Sequence, residues 1–279
     1  MILREALARA TDYLQRKGVP SPRIDAEHLL GKALGLSRVQ LYTEHDRPLS
    51  DAELAAARAL LERRGRREPL AYILGEWGFR RLNLKVDGRA LIPRPETEIV
   101  VERCLERLRA DPQPEPRVID VGTGTGAIAL AIADEHPSVR LTALDASPAA
   151  LALASENAEL TGLGGRIEFL EGDVQAGLPG GPYRLVVSNP PYVRPDEIEQ
   201  LEPEVRDWEP RQATVGTTVT EAVAHAARDR LEPGGWLVLE VADGAAEEVR
   251  ALLVRLGFVD TCSTQDLAGR VRVVEGRWA

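Results

Sequence analysis

Four consecutive residues, Asn189-Pro190-Pro191-Tyr192, carry the most specific chemistry in the chain. The Asn189 side-chain carbonyl and the Pro190 main-chain carbonyl are both acceptors, and proline leaves no competing N–H at 190 or 191. Such a pair suits a planar group bearing an N–H₂, either a carboxamide or the amino edge of adenine. Tyr192 is placed to stack on its flat face. Asn189, Pro190 and Tyr192 are therefore the candidate catalytic residues, and Asn189, Pro190, Pro191 and Tyr192 the candidate substrate contacts. Alone, Asn-Pro and Pro-Pro are also common turn punctuation, so the motif gains its weight from what accompanies it.

The companion is a glycine loop, Gly122-Thr123-Gly124-Thr125-Gly126, which follows the apolar run Val118-Ile119-Asp120-Val121 directly. Glycines there let the backbone approach a ligand closely, and a following helix offers free N–H groups. Asp145 comes about twenty residues later, where an acid meets a ribose in such folds. Asp173 follows the next apolar run and is placed to take part of a ring edge. Together Gly122 through Gly126, Asp145 and Asp173 predict an adenosine-containing ligand. They do not choose which one, because Ala127 also completes the dinucleotide spacing.

These residues need a scaffold that holds loops side by side, and the pattern from Arg117 onward supplies one. Strand signals over 118–121, 139–144, 167–170, 185–187, 236–241, 258–264 and 270–276 alternate with helical periodicity over 127–133, 148–160 and 244–256. That order predicts an α/β domain, a mostly parallel sheet covered on both faces, with both motifs at strand carboxyl ends. Ahead of it, Leu3, Leu7, Ala10 and Leu14 recur at helical spacing. Ala26 to Leu34 follow Ser21-Pro22, and Leu54 to Leu61 follow Ser50-Asp51, so residues 1–75 read as a small helical domain. In 76–110, Trp77, Phe79, Leu82, Leu84 and Val86 suit a hairpin, and Pro95, Glu96 and Glu98 open a helix that runs to about Arg109. Residues 111–279 make the α/β domain, entered through the proline-rich linker 111–116.

Composition narrows the function classes. The chain has 279 residues, 44% hydrophobic and 28% charged, with a net charge of -9. Residues 1–75 carry 13 Lys and Arg against 10 Asp and Glu, so the acidity lies in the remainder. An acidic α/β domain disfavours stable binding along duplex nucleic acid, where cations supply the phosphate contacts. Cys104, Cys262 and four scattered histidines predict neither a metal site nor a disulfide framework. No apolar run is long enough to span a bilayer and no secretory pattern opens the chain, so a cytoplasmic location is expected. Arg63, Arg64, Arg66 and Arg67 end the helical domain, as a surface for an acidic partner or as a solvated helix end.

The glycine loop and Asn189-Pro190-Pro191-Tyr192 together resemble the S-adenosylmethionine-dependent amino-methyltransferases. The fuller set is similar to the release-factor glutamine methyltransferase family: Gly75-Glu76-Trp77-Gly78-Phe79, Leu91-Ile92-Pro93-Arg94-Pro95-Glu96-Thr97-Glu98, Glu209-Pro210-Arg211 and Asp266-Leu267-Ala268-Gly269-Arg270. That resemblance covers nearly the whole chain. It implies a seven-stranded Rossmann-like methyltransferase sheet with an antiparallel last strand, carrying a small N-terminal helical-bundle domain. It further implies S-adenosylmethionine as cofactor, with contacts at Gly122 through Gly126, Asp145, Asp173, Val174 and Asn189. The implied substrate is the side-chain amide of the glutamine in the Gly-Gly-Gln loop of class 1 peptide-chain release factors. Relatives carry Gly-Asp-Gly-Leu where Val215 to Val219 stand here, and no role is assigned to that loop.

Overall fold

Leucines and alanines at helical spacing build the N-terminal part, as one buried stripe per helix. The structure is a computed structural model that describes residues 1–279. Helices α1 (Leu3–Arg16), α2 (Pro22–Leu34), α3 (Arg38–Thr43), α4 (Asp51–Gly65) and α5 (Leu70–Leu74) close around Leu3, Leu14, Leu29, Leu30 and Leu41. Pro22 stands in the first turn of α2. Ser50 and Glu53 form a reciprocal cap on α4, as Ser37 and Gln40 do on α3. At six and five residues, α3 and α5 are too short for a periodic signal, and the sequence pattern does not reveal them.

This first unit comprises residues 1–76 together with 202–208, a segment from much later in the chain. Buried charge holds that segment. Arg64 is 6% exposed, and its guanidinium lies 2.7 Å from Asp25 Oδ2 and 2.8 Å from Glu204 Oε1. Arg67 donates to both oxygens of Glu204, at 2.7 and 2.6 Å. Arg63 grips Glu68 with two nitrogens. Three of the four clustered arginines are thus paired with carboxylates inside their own unit, while Arg63 and Arg66 remain exposed as at a solvated helix end. Arg66 alone of the four stands exposed without an ion pair.

The second unit, residues 77–201 and 209–279, contains the sheet. The hairpin β1 (Glu76–Phe79) and β2 (Leu82–Lys85) leads to α6 (Thr97–Ala110). Then come β3 (Arg117–Val121), α7 (Ala127–Glu135), β4 (Arg140–Asp145), α8 (Pro148–Leu160), β5 (Ile167–Glu171) and β6 (Tyr183–Ser188). After α9 (Pro203–Trp208), the helical part of the first unit's late segment, follow α10 (Arg211–Thr214), α11 (Val219–Arg228), β7 (Leu231–Glu240), α12 (Ala246–Leu256), β8 (Phe258–Gln265) and β9 (Val271–Trp278). Strand order is β5-β4-β3-β6-β7-β9-β8, parallel except for β9, which runs antiparallel to both neighbours. Alternate residues serve opposite faces. Val118, Leu185, Val187 and Val238 pack under α6 and α7, while Ile119, Val121, Val186 and Leu237 pack under α11 and α12. The seven-stranded sheet and the antiparallel last strand agree with the expectation; α11 was not foreseen.

Candidate active site

The register of the central strands determines which residues meet. Val121 pairs with Leu144 on one side and Ser188 on the other, and Ser188 pairs with Leu239. Four strands therefore end level, and Asp145, Gly122, Asn189 and Glu240 stand in a row at their carboxyl ends. Between β3 and β6 the chain's progress across the sheet reverses, the place where open parallel sheets bind ligands.

A cavity of about 390 Å³ opens there. Gly122, Thr123, Gly124, Thr125, Asp145, Asp173 and Val174 line it from the loops after β3, β4 and β5, and Asn189, Pro190 and Pro191 line it after β6. Gly122 and Gly124 take φ values of 75° and 58°, which glycine adopts at least cost. A larger depression of about 750 Å³ lies at the amino ends of the strands, among Arg117, Arg140 and Arg166. It has no glycine loop and sits at the sheet edge opposite to where such folds bind ligands.

Two expected residues lie outside the lining. Gly126 starts α7 at φ 82°, and a Cβ there would come within 3.1 Å of Leu130 Cδ1 and 3.2 Å of Ala154 Cβ. Its small size serves the close approach of α7 and α8. Tyr192 is absent from the lining, and burial, with the Glu240 carboxyl adding to it, raises its phenol above the ordinary value.

The acids are held by local donors. Asp145 accepts from Gly124 N at 2.8 Å and Ser147 N at 2.9 Å, so it braces the glycine loop, while burial raises its carboxyl. Each of its oxygens keeps a further lone pair for an O–H donor such as a ribose hydroxyl. Asp173 accepts from Gln175 N at 2.9 Å. Val174 is buried and packs in the core beneath α11 and α12. Asp120, at the foot of the loop, accepts from Thr123 Oγ1 at 2.7 Å, and burial pushes its carboxyl up to about 7. Its Oδ1 is buried with no partner. A backbone cradle and an acid at the next strand end fit an adenosine-bearing ligand.

The Asn189 side chain hydrogen-bonds with Thr97. Its Nδ2 donates to Thr97 Oγ1 at 3.4 Å, and Thr97 Oγ1 donates to Glu240 Oε2 at 2.7 Å. Thr97 also lines the cavity, beside Leu91, Ile92, Pro93 and Arg94. Sequence reasoning quoted that stretch but gave it no place in the site. The loop left without a role is also part of the wall. Val193 N donates to Thr214 O and Gly216 N to Val193 O, which brings Ala213, Val215 and Val219 to the cavity.

The comparisons with known proteins agree with this geometry. Residues 5–75 match the family model for the PrmC N-terminal domain, and residues 99–202 match that for the methyltransferase small domain. The chain is 43% identical to the release factor glutamine methyltransferase of Geobacter sulfurreducens, over 99% of this chain and 96% of that protein. It is 45% identical to that of Chlorobaculum tepidum, over 94% and 92%. Among solved structures, the hMettl16 catalytic domain superposes with a TM-score of 0.58 at 14% identity, over 71% of this chain and 76% of the other. The T. thermophilus 16S rRNA methyltransferase RsmC gives 0.55 at 18%, over 73% and 50%. Those two share the fold. With relatives matched from end to end and a methyltransferase domain behind the cavity, the chain belongs to the release factor glutamine methyltransferases.

Proposed function

We propose that the chain methylates the side-chain amide nitrogen of the glutamine in the Gly-Gly-Gln loop of class 1 release factors, with S-adenosylmethionine as donor. The single observation that carries this reading is Asn189, at the reversal point between β3 and β6, with its amide nitrogen turned to Thr97. The carbonyl end of Asn189 is then left for a substrate N–H, next to a Pro190 carbonyl with no competing donor.

When bound, S-adenosylmethionine supplies a sulfonium-activated methyl group. Gly122 through Thr125 and Asp145 would hold its nucleoside part, with Asp173 and Val174 at the far side. A glutamine amide nitrogen is a poor nucleophile because its lone pair is delocalised, so these residues must mainly position it. Two acceptors on its N–H bonds aim the nitrogen and strengthen as it gains positive charge, which favours the transition state over the ground state. Alignment of this kind lowers barriers by up to about 7–11 kcal/mol.

The test is transfer of labelled methyl from S-adenosylmethionine to purified release factor, with the modified residue located by peptide mass spectrometry. Modification at the Gly-Gly-Gln glutamine supports the reading, and Asn189→Ala is expected to cut turnover by at least about 100-fold with the fold intact. Transfer to RNA alone, with release factor inert, overturns it.

A further inference from the structure

Glu240 lies beside Asn189 at the strand ends, and Thr97 touches both. Glu240 ends β7 and is 3% exposed; Thr97 opens α6 and is 4% exposed. The register that pairs Ser188 with Leu239 sets Asn189 beside Glu240, and Thr97 Oγ1 touches both, at 3.4 Å from Asn189 Nδ2 and 2.7 Å from Glu240 Oε2.

The polarity of that chain follows from counting protons. A threonine hydroxyl has one hydrogen to give. An ionised Glu240 can only accept, so the hydroxyl must donate to it. Thr97 then turns only lone pairs toward Asn189, and only the N–H₂ end of a carboxamide complements them. The carbonyl end of Asn189 is thereby directed to the other side, toward the substrate. If Glu240 carries a proton, it can donate to Thr97 instead. The hydroxyl is then free to donate to Asn189, and either end of the amide fits.

We infer that Glu240 and Thr97 are positioning residues for methyl transfer: ionised Glu240, acting through the Thr97 hydroxyl, fixes the Asn189 carboxamide with its oxygen toward the substrate nitrogen. The inference rests on the proposed use of Asn189 as the acceptor of that nitrogen's N–H. Glu96 and Arg94 face Glu240 from the stretch before α6, Arg272 from β9, and Tyr192 from the loop after β6. Burial pushes the Glu240 carboxyl up to about 7 and Glu96 adds to this, while Thr97, Arg272 and Arg94 act against it. The orientation of Asn189 is therefore set within the neutral pH range.

Two measurements test the relay. In steady-state methylation of release factor, wild type is expected to show an acid limb in kcat near neutral pH. Thr97→Val, which keeps the shape and removes the hydroxyl, should lower kcat at least about tenfold, with cofactor affinity within about twofold. Thr97→Ser should recover most of the rate. Glu240→Gln should abolish the acid limb. The second readout needs no substrate: the side-chain amide ¹⁵N resonance of Asn189, assigned by its loss in Asn189→Asp, should titrate in wild type and stop titrating in Thr97→Val and Glu240→Gln. Wild-type kcat in Thr97→Val, an unchanged acid limb in Glu240→Gln, or an Asn189 resonance indifferent to both variants overturns the relay. If release factor is inert toward wild type, the proposed function fails while the resonance still decides the relay.

Discussion

Both units bury carboxylates, and they do so under opposite rules. In the helical unit, Glu204 is surrounded by Arg64 and Arg67; burial works to raise its carboxyl, but the two guanidinium groups hold it below the ordinary value. At the carboxyl edge of the sheet, Asp120, Asp145 and Glu240 form no ion pair, and burial raises all three. Where only the architecture is at stake, every buried acid has a cation. Where a ligand must bind, the acids are left with hydroxyl and N–H donors that do not cancel their charge. The uncompensated field is what a positively charged donor molecule would meet on entering the cavity.

Removing a cation from the first environment should give the largest effect. Arg64→Ala leaves Asp25 without its buried partner and weakens the hold on Glu204. Breaking such a pair costs about 3–5 kcal/mol, because a desolvated charge remains. Denaturant unfolding is expected to show that loss, and Arg66→Ala, at an exposed neighbour, should stay within about 0.5 kcal/mol of wild type. Equal, small effects from both would mean that the buried pairs do not hold the late segment.

That segment also marks the limit of what could be read from the chain alone. The strands announce themselves through short apolar runs, and Gly122, Asp145 and Asn189 are found because each sits next to the run that ends beside it. Local order is enough to place them at one edge. The Arg67–Glu204 contact spans 137 residues and the Thr97–Glu240 contact 143, and no periodicity encodes which charge or hydroxyl will meet which. Helix α11 escaped for another reason. Its buried face, Val223, Ala224, Ala226 and Ala227, lies opposite Glu221, His225 and Arg228, so the amphipathic stripe is present in the sequence and was passed over. The Val215 loop was invisible because its place in the wall comes from main-chain pairing with Val193, which any side chain permits.

The second environment can be tested through pH. Asp120 has its carboxyl raised from 3.8 to about 7 in the fold, so its share of stability is fully present below pH 3.8 and is lost as pH rises through about 7. Asp120→Asn keeps an acceptor for Thr123 and cannot ionise. Its melting temperature relative to wild type should therefore climb between about pH 4 and pH 7 in the free protein and level off above that, by an amount corresponding to a few kcal/mol in all. Glu204 predicts the reverse dependence. Its stabilisation is present above pH 4.5 and lost as pH falls through a lower value. A flat difference for Asp120→Asn between about pH 4 and pH 7 would remove the contrast between the two units.

Asp145 sharpens the functional side of the same contrast. It braces Gly124 and keeps lone pairs for an incoming hydroxyl. Asp145→Ala should weaken S-adenosylmethionine binding by about 1–3 kcal/mol, roughly fivefold to 150-fold by calorimetry. Unchanged affinity would leave the carboxylate as a loop brace only.

The smallest effect is expected where charge is abundant but water is present. Glu156 accepts from Lys85 Nζ at 2.8 Å and from Arg89 at 2.7 and 2.9 Å, and the two cations pull its carboxyl down to about 2. Its side chain is 41% exposed, so solvent screens most of that attraction. By sign, whatever it contributes is present above pH 4.5 and lost as pH falls through about 2. Glu156→Gln should shift the melting temperature by no more than about 2 °C at low salt, and by less at high salt. Arg89 also holds Asp87 at 2.8 Å, so its position at the cavity rim should survive the change. A drop as large as that of Arg64→Ala would show that proximity of charges, and not their removal from water, decides the cost in this protein.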